Sequence, residues 1–138
     1  MTQSAQRTEL PTMSSPLALL DRAHLNTMTG GDKELALEVI EIFREQTGLW
    51  MRLMDPKAEP RQWADAAHTL KGACLSLGAM QLASLCERAE KAGRSEDPPS
   101  VTAAAVLLGD VRDCLSHTME EVAKVSYELA GKGGFKAS

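Results

Sequence analysis

The chain is short of aromatic residues and has no long apolar run, and these two shortages narrow the fold before any motif is found. Phe, Trp and Tyr together make up 4% of the 138 residues, although 43% are hydrophobic. Ala, Leu and Met carry the apolar content, and with Glu they lose the least entropy in a helix, so an all-α protein is expected. No stretch approaches the roughly 18 consecutive apolar residues of a membrane span. The first eleven residues are polar rather than a basic start followed by an apolar signal core, so the cytoplasm is the expected location and no membrane partner is expected. Lys and Arg form no cluster, and a formal charge of −4 with a pI near 5.4 argues against a nucleic-acid partner. The cysteines Cys74, Cys86 and Cys114 make no C-x-x-C pair and occupy apolar positions of helical patterns, which reads as reduced core thiols.

Helix breakers and caps fall at Gly30-Gly31, at Asp55-Pro56 through Glu59-Pro60, at Gly78, and at Ser95 through Pro99. They divide the chain into five helical segments. The first runs from Pro16 to about Met28, anchored by Leu17, Leu20 and Leu25. The second opens at Asp32 and carries Leu35, Val39/Ile40, Phe43, Gln46/Thr47, Trp50 and Met54 at the three-four spacing of one face. The third follows Pro60, with Trp63, Ala66/Ala67, Leu70, Ala73/Cys74 and Leu77 inward, and ends near Gly78. The fourth spans about Ala79 to Ala92, with Gly93 as its expected C-cap. The last, from about Pro98 to Ala130, repeats Val101, Ala104, Leu108, Val111, Leu115, Thr118, Val122, Val125 and Leu129. Short connections between long amphipathic helices predict an antiparallel up-down four-helix bundle with a short additional N-terminal helix. The expected division is a flexible tail over 1–13, one bundle domain over 14–130, and a Gly- and Lys-rich tail over 131–138.

The third segment carries the chemistry. With Leu70 at the centre of its buried face, His68 lies about 160° away, so it points toward water or an edge groove and not into the core. Ala64, Lys71, Gly72 and Leu75 lie one or two turns along on the same side. Glycine inside a helix costs about 1 kcal/mol relative to alanine, so Gly72 implies that something approaches the backbone closely there. Neutral imidazole is a competent nucleophile. An ammonium three residues on, at Lys71, is placed to screen a phosphoryl group attached to the ring. No metal or other cofactor is required of this chain.

Each of these signals is weak alone: an exposed His is usually only solvated, a Lys beside it only solubilising, and a mid-helix Gly often packs on a neighbour. In combination, His68-Thr69-Leu70-Lys71-Gly72-Ala73-Cys74-Leu75-Ser76-Leu77-Gly78 resembles the phosphoacceptor motif of histidine phosphotransfer (HPt) domains, H-x-L-K-G, then small residues, then L-G. Cys74 departs from it, standing where Ser or Ala is commoner. Asp21 to Phe43 is similar to the family's lead-in, and Leu82 to Arg94 to the helix after the active one, so the resemblance covers about residues 17–128. It implies a phosphoryl carrier with no ATP-binding kinase domain. A ring nitrogen of His68 takes the group from a receiver-domain aspartate of a hybrid kinase or regulator and passes it to a response regulator. Lys71 would lie near the phosphate, and Gly72 would make room for the receiver's loops, with Mg²⁺ held by that partner. Glu90 stands 22 residues after His68, where related proteins place a Glu or Gln that bonds the other ring nitrogen. The bland alternative for Glu90 is a surface charge. Leu75, Ala64 and Arg61 are the further candidates for the docking surface, and the protein is expected to be a monomer.

Three competing readings follow from the same residues. A sensor-kinase dimerisation segment also presents His on a helix, but usually with an acidic residue directly after it and a Pro a few residues on, where Thr69, Lys71 and Gly72 stand here. A metal-binding bundle would use Asp65-x-x-His68 and Asp21-x-x-His24, but such sites favour Glu at core positions. A purely structural bundle would be indifferent to loss of His68. His24 and His117 read as surface or boundary residues without a functional role.

Overall fold

The computed structural model describes residues 17–133, so the expected 1–13 tail lies outside the described residues, as do 134–138. Within them five α-helices succeed one another: α1 (Arg22–Met28), α2 (Lys33–Leu53), α3 (Pro60–Leu77), α4 (Met80–Gly93) and α5 (Val101–Gly133). No helix among the described residues is long and apolar enough to cross a membrane.

Local chemistry sets the ends of these helices. The Asp21 side chain caps α1 by accepting from the His24 amide at 3.0 Å. Asp32 caps α2 by accepting from the amides of Glu34 and Leu35, which satisfies donors that a helix start leaves without partners. Gly30 and Gly31, both with positive φ, turn the chain between them. Pro60 sits in the first turn of α3, and Gly78 ends it at φ 99°. Any side chain at Gly78 would also strike the backbone of Asp21, since a Cβ there would lie 2.7 Å from the Asp21 carbonyl oxygen. Ser100 opens α5, its carbonyl accepting from Ala104 and its hydroxyl from Ala103.

Each of α2 to α5 packs on two of the others: α2 on α3 and α5, and α4 on α3 and α5, while α1 lies against α3. The shared interior holds Ile40, Phe43 and Met54 from α2 and its end, Trp63, Leu70, Cys74 and Leu77 from α3, Leu82 and Cys86 from α4, and Leu108, Val111 and Val122 from α5. Burying an aliphatic or aromatic side chain of this kind stabilises the fold by about 1.5–3 kcal/mol. All three cysteines are buried and unbonded. Contact with the Cys86 thiol, together with burial, pushes the Cys74 thiol well above the ordinary range, so it stays protonated.

The structure departs from expectation at several places. Residues 17–20 are not helical, and Leu17 is exposed rather than an anchor. Their backbone is spent on docking, with Asp21 donating to Gly78, Gln81 donating to Ala18, and the Gln81 side chain reaching the Leu17 carbonyl. Ala36, not Leu35, begins the buried row of α2, and Val101 is exposed where α5 starts beyond the core. The helix α5 continues to Gly133, three residues past the expected boundary, because extending an existing helix is far cheaper than nucleating one. Gly93 is not a left-handed cap. It is the buried last residue of α4, and a Cβ there would fall 2.7 Å from the Pro60 carbonyl oxygen, 2.8 Å from the Ala64 Cβ and 2.9 Å from the Trp63 ring. Its smallness lets the end of α4 close onto the start of α3.

Candidate functional site

Midway along α3, His68 projects outward with 59% of its side chain accessible. The neighbouring α4 brings Glu90 beside it, and Glu90 Oε2 lies 2.9 Å from His68 Nδ1. An ionised carboxylate can only accept hydrogen bonds, so this contact requires a proton on Nδ1, and in the neutral ring the lone pair is then on Nε2. The same carboxylate is held by two cations. Lys71 Nζ donates to Oε1 at 2.9 Å, and Arg94 Nε donates to Oε2 at 3.1 Å. Partial burial disfavours the Glu90 charge, but the hydrogen bonds from Lys71, Arg94 and His68 outweigh that penalty and hold its carboxyl below the usual carboxylate range.

The structure thus brings His68, Lys71 and Glu90 together. The Lys71 ammonium rests on Glu90, not out in solvent, and two of its three donors remain for other acceptors. Gly72 is exposed, and a Cβ added there would meet nothing within 4 Å. The molecule's own packing therefore gives no reason for a glycine at this place. Leu75 is 46% exposed beside it, and its carbonyl accepts from His24 Nε2 at 2.7 Å. The side chain of His24, expected to be idle, ties α1 to α3.

Ala64 does not belong to the outer face: it is fully buried. The helical wheel put it on the His68 side, but α4 closes over it at Gly93. Arg61 is exposed and, with Pro60, Gly93, Arg94 and Pro98, lines an open cleft of about 350 Å³. Asp65, considered above as a metal ligand, instead pairs with Arg94 Nη1 at 3.0 Å, and Asp21 is committed to capping α1. Among the described residues no group of three His, Cys, Asp or Glu side chains is placed to hold a metal ion.

Two features went unread in the sequence. Arg94 is one, although its place four residues after Glu90 is the spacing of a helical ion pair. The other is a row of exposed apolar side chains on α2: Leu35, Ile42, Leu49 and Leu53. Their spacing of sevens and a four was visible, but the reading followed the buried face of the same helix. Between α2 and α3, Val39, Ile42, Phe43 and Gln46 line a shallow groove of about 230 Å³ with Ala73 and Ser76, which follow Gly72 along α3.

An all-helical protein that displays a single-tautomer imidazole on the side of packed helices is suited to carrying a group on that ring. The Hpt domain family model matches residues 33–124. No curated protein matches the chain at a significant level. Among solved structures, the histidine phosphotransferase ShpA from Caulobacter crescentus is similar, with 33% identity, a TM-score of 0.65, and coverage of 83% of this chain and 97% of that one. The chain belongs to the Hpt domain family. It has the role of a phosphotransfer carrier rather than a kinase, in a family whose members interact with receiver domains in phosphorelays.

Proposed function

We propose that His68 Nε2 accepts a phosphoryl group from a receiver-domain aspartate of a hybrid kinase or regulator and passes it to the aspartate of a response regulator. The observation that carries this reading is the bond between Glu90 and Nδ1 of an otherwise exposed His68. In the forward step the Nε2 lone pair attacks phosphorus in line, the acyl phosphate P–O bond breaks, and the aspartate leaves as a carboxylate. The ring, still protonated at Nδ1, then carries positive charge. The Glu90 carboxylate faces that charge and stabilises it. Because phosphoimidazolium is a good leaving arrangement, the second transfer proceeds by the same route reversed. Lys71 turns its free donors to the phosphoryl oxygens, and the receiver supplies Mg²⁺ and most of the remaining electrostatic stabilisation.

The receiver would dock over Gly72, Leu75 and Arg61, and the exposed apolar row of α2 extends that surface beyond the residues read from the sequence. Transient partners use such patches. The helix packing is read as an antiparallel up-down four-helix bundle with α1 as its brace, acting as a cytoplasmic monomer. The test is phosphoryl transfer from a panel of labelled receiver domains to the chain and to His68→Gln. Acid-labile, base-stable label that the variant lacks is the expected result. Equal labelling of the variant would end the proposal.

A further inference from the structure

Arg94 spans the two helices that build the site. Its Nε bonds Glu90 Oε2, the same oxygen that holds His68, and its Nη1 pairs with Asp65 Oδ1 on α3, one turn before His68. Asp65 and His68 are three residues apart and so share a helix face. Arg94 reaches both carboxylates only because Gly93, directly before it, lets the α4 terminus press against Pro60, Trp63 and Ala64.

The Glu90 carboxylate has a choice of partners. Lys71 holds Oε1, but without Arg94 the only bond to Oε2 comes from the ring that the carboxylate is to orient, and the last side-chain torsion of Glu90 is broad and weakly restrained. A second donor on Oε2 removes that freedom. A guanidinium suits this task better than an ammonium because its donors lie in a rigid planar fork, and Asp65 engages the other limb of that fork.

We propose that Arg94, anchored by Asp65, is a positioning residue: the pair locks the Glu90 carboxylate so that its Oε2 faces His68 Nδ1 and keeps Nε2 as the nucleophile. The proposal rests on the carrier reading of His68 and adds a component that touches neither the ring nor the phosphoryl group. Arg94 and Asp65 are 43% and 64% exposed, so the pair adds little to folding stability. Its effect falls on the ring.

The test compares the full chain with Asp65→Asn, Arg94→Gln, Arg94→Lys and the Asp65→Asn/Arg94→Gln double variant. Histidine is labelled with ¹⁵N, and the ring-nitrogen shifts of His68 are read beside thermal unfolding and transfer from a phosphorylated receiver domain. Arg94→Gln is expected to convert a single Nδ1–H tautomer into a mixture and slow transfer about tenfold, the lower range for loss of an outer-shell partner, with an almost unchanged melting temperature. Asp65→Asn gives a smaller change of the same kind, and adds nothing once Arg94 is replaced. Arg94→Lys restores part of both readouts. Wild-type ring shifts in Arg94→Gln would overturn the proposal, as would an Asp65→Asn effect that persists in the double variant. Failure of the unaltered chain to accept label strikes the carrier reading alone, and the ring shifts then decide the positioning role by themselves.

Discussion

The two faces of α3 do different work. On its inner face Trp63, Ala67, Leu70, Cys74 and Leu77 are buried among the other helices. On its outer face His68, Gly72 and Leu75 are exposed, and α4 and its end hold side chains there, His68 and Lys71 by Glu90 and Asp65 by Arg94. Inner residues are constrained by volume, because a core packed to crystalline density responds to the loss of even one methylene. Outer residues are constrained by what must reach them. Stability and group transfer should therefore be separable along a single helix.

The sharpest way to sharpen that separation is His68→Gln. Transfer should vanish, and the thermal melt should stay close to that of the unaltered chain, since an exposed side chain contributes little to the core. A variant that melted far lower would show that the outer face also carries the fold. Leu70→Ala should do the reverse. Two positions away but fully buried, it should cost about 2–5 kcal/mol in denaturant unfolding, while whatever fraction remains folded accepts phosphate normally.

Gly72→Gln should slow transfer while slightly raising helix stability, because a residue with better helical propensity gains up to about 1 kcal/mol over glycine and meets no neighbour. Normal transfer kinetics in this variant would count against a partner docking over Gly72. The smallest effect concerns acid. The Glu90 carboxyl is held below its ordinary range in the folded protein. Its contribution to stability is present above the unfolded value and disappears as pH falls through the lowered one. The difference in melting temperature between the chain and Glu90→Gln should accordingly shrink as pH drops below the usual carboxylate range. A constant difference would mean that the Glu90 charge does not matter to folding.

Much of the site was legible before the structure. The spacing His68-x-x-Lys71-Gly72 requires only that the segment be helical, whereas Glu90 came from the family resemblance, with a turn at Gly78 and an antiparallel return merely compatible with its contact to His68. The errors have a common origin. Ala64 stood on the correct side of an isolated helical wheel, yet it is buried because the wheel cannot know that α4 ends against it. Arg94 was passed over for the same reason: without the close approach at Gly93 it is one more surface cation. Leu35 and Val101 were placed in the core because their periodicity continues beyond the length over which the neighbouring helices cover them.

Local chemistry in the chain determined where the helices begin and stop, which residues share a face, and that His68 stands on the outer face of α3. Caps, glycines and a 3.6-residue period act within a few positions and need no knowledge of the rest of the molecule. What tertiary packing alone decided is which cations surround Glu90, which side chain is shut away beside Gly93, and how Ile42 of the exposed α2 row comes to share a groove with Ala73 and Ser76 of α3. Those outcomes depend on how closely the helices approach one another, which all the side chains packed between them set together.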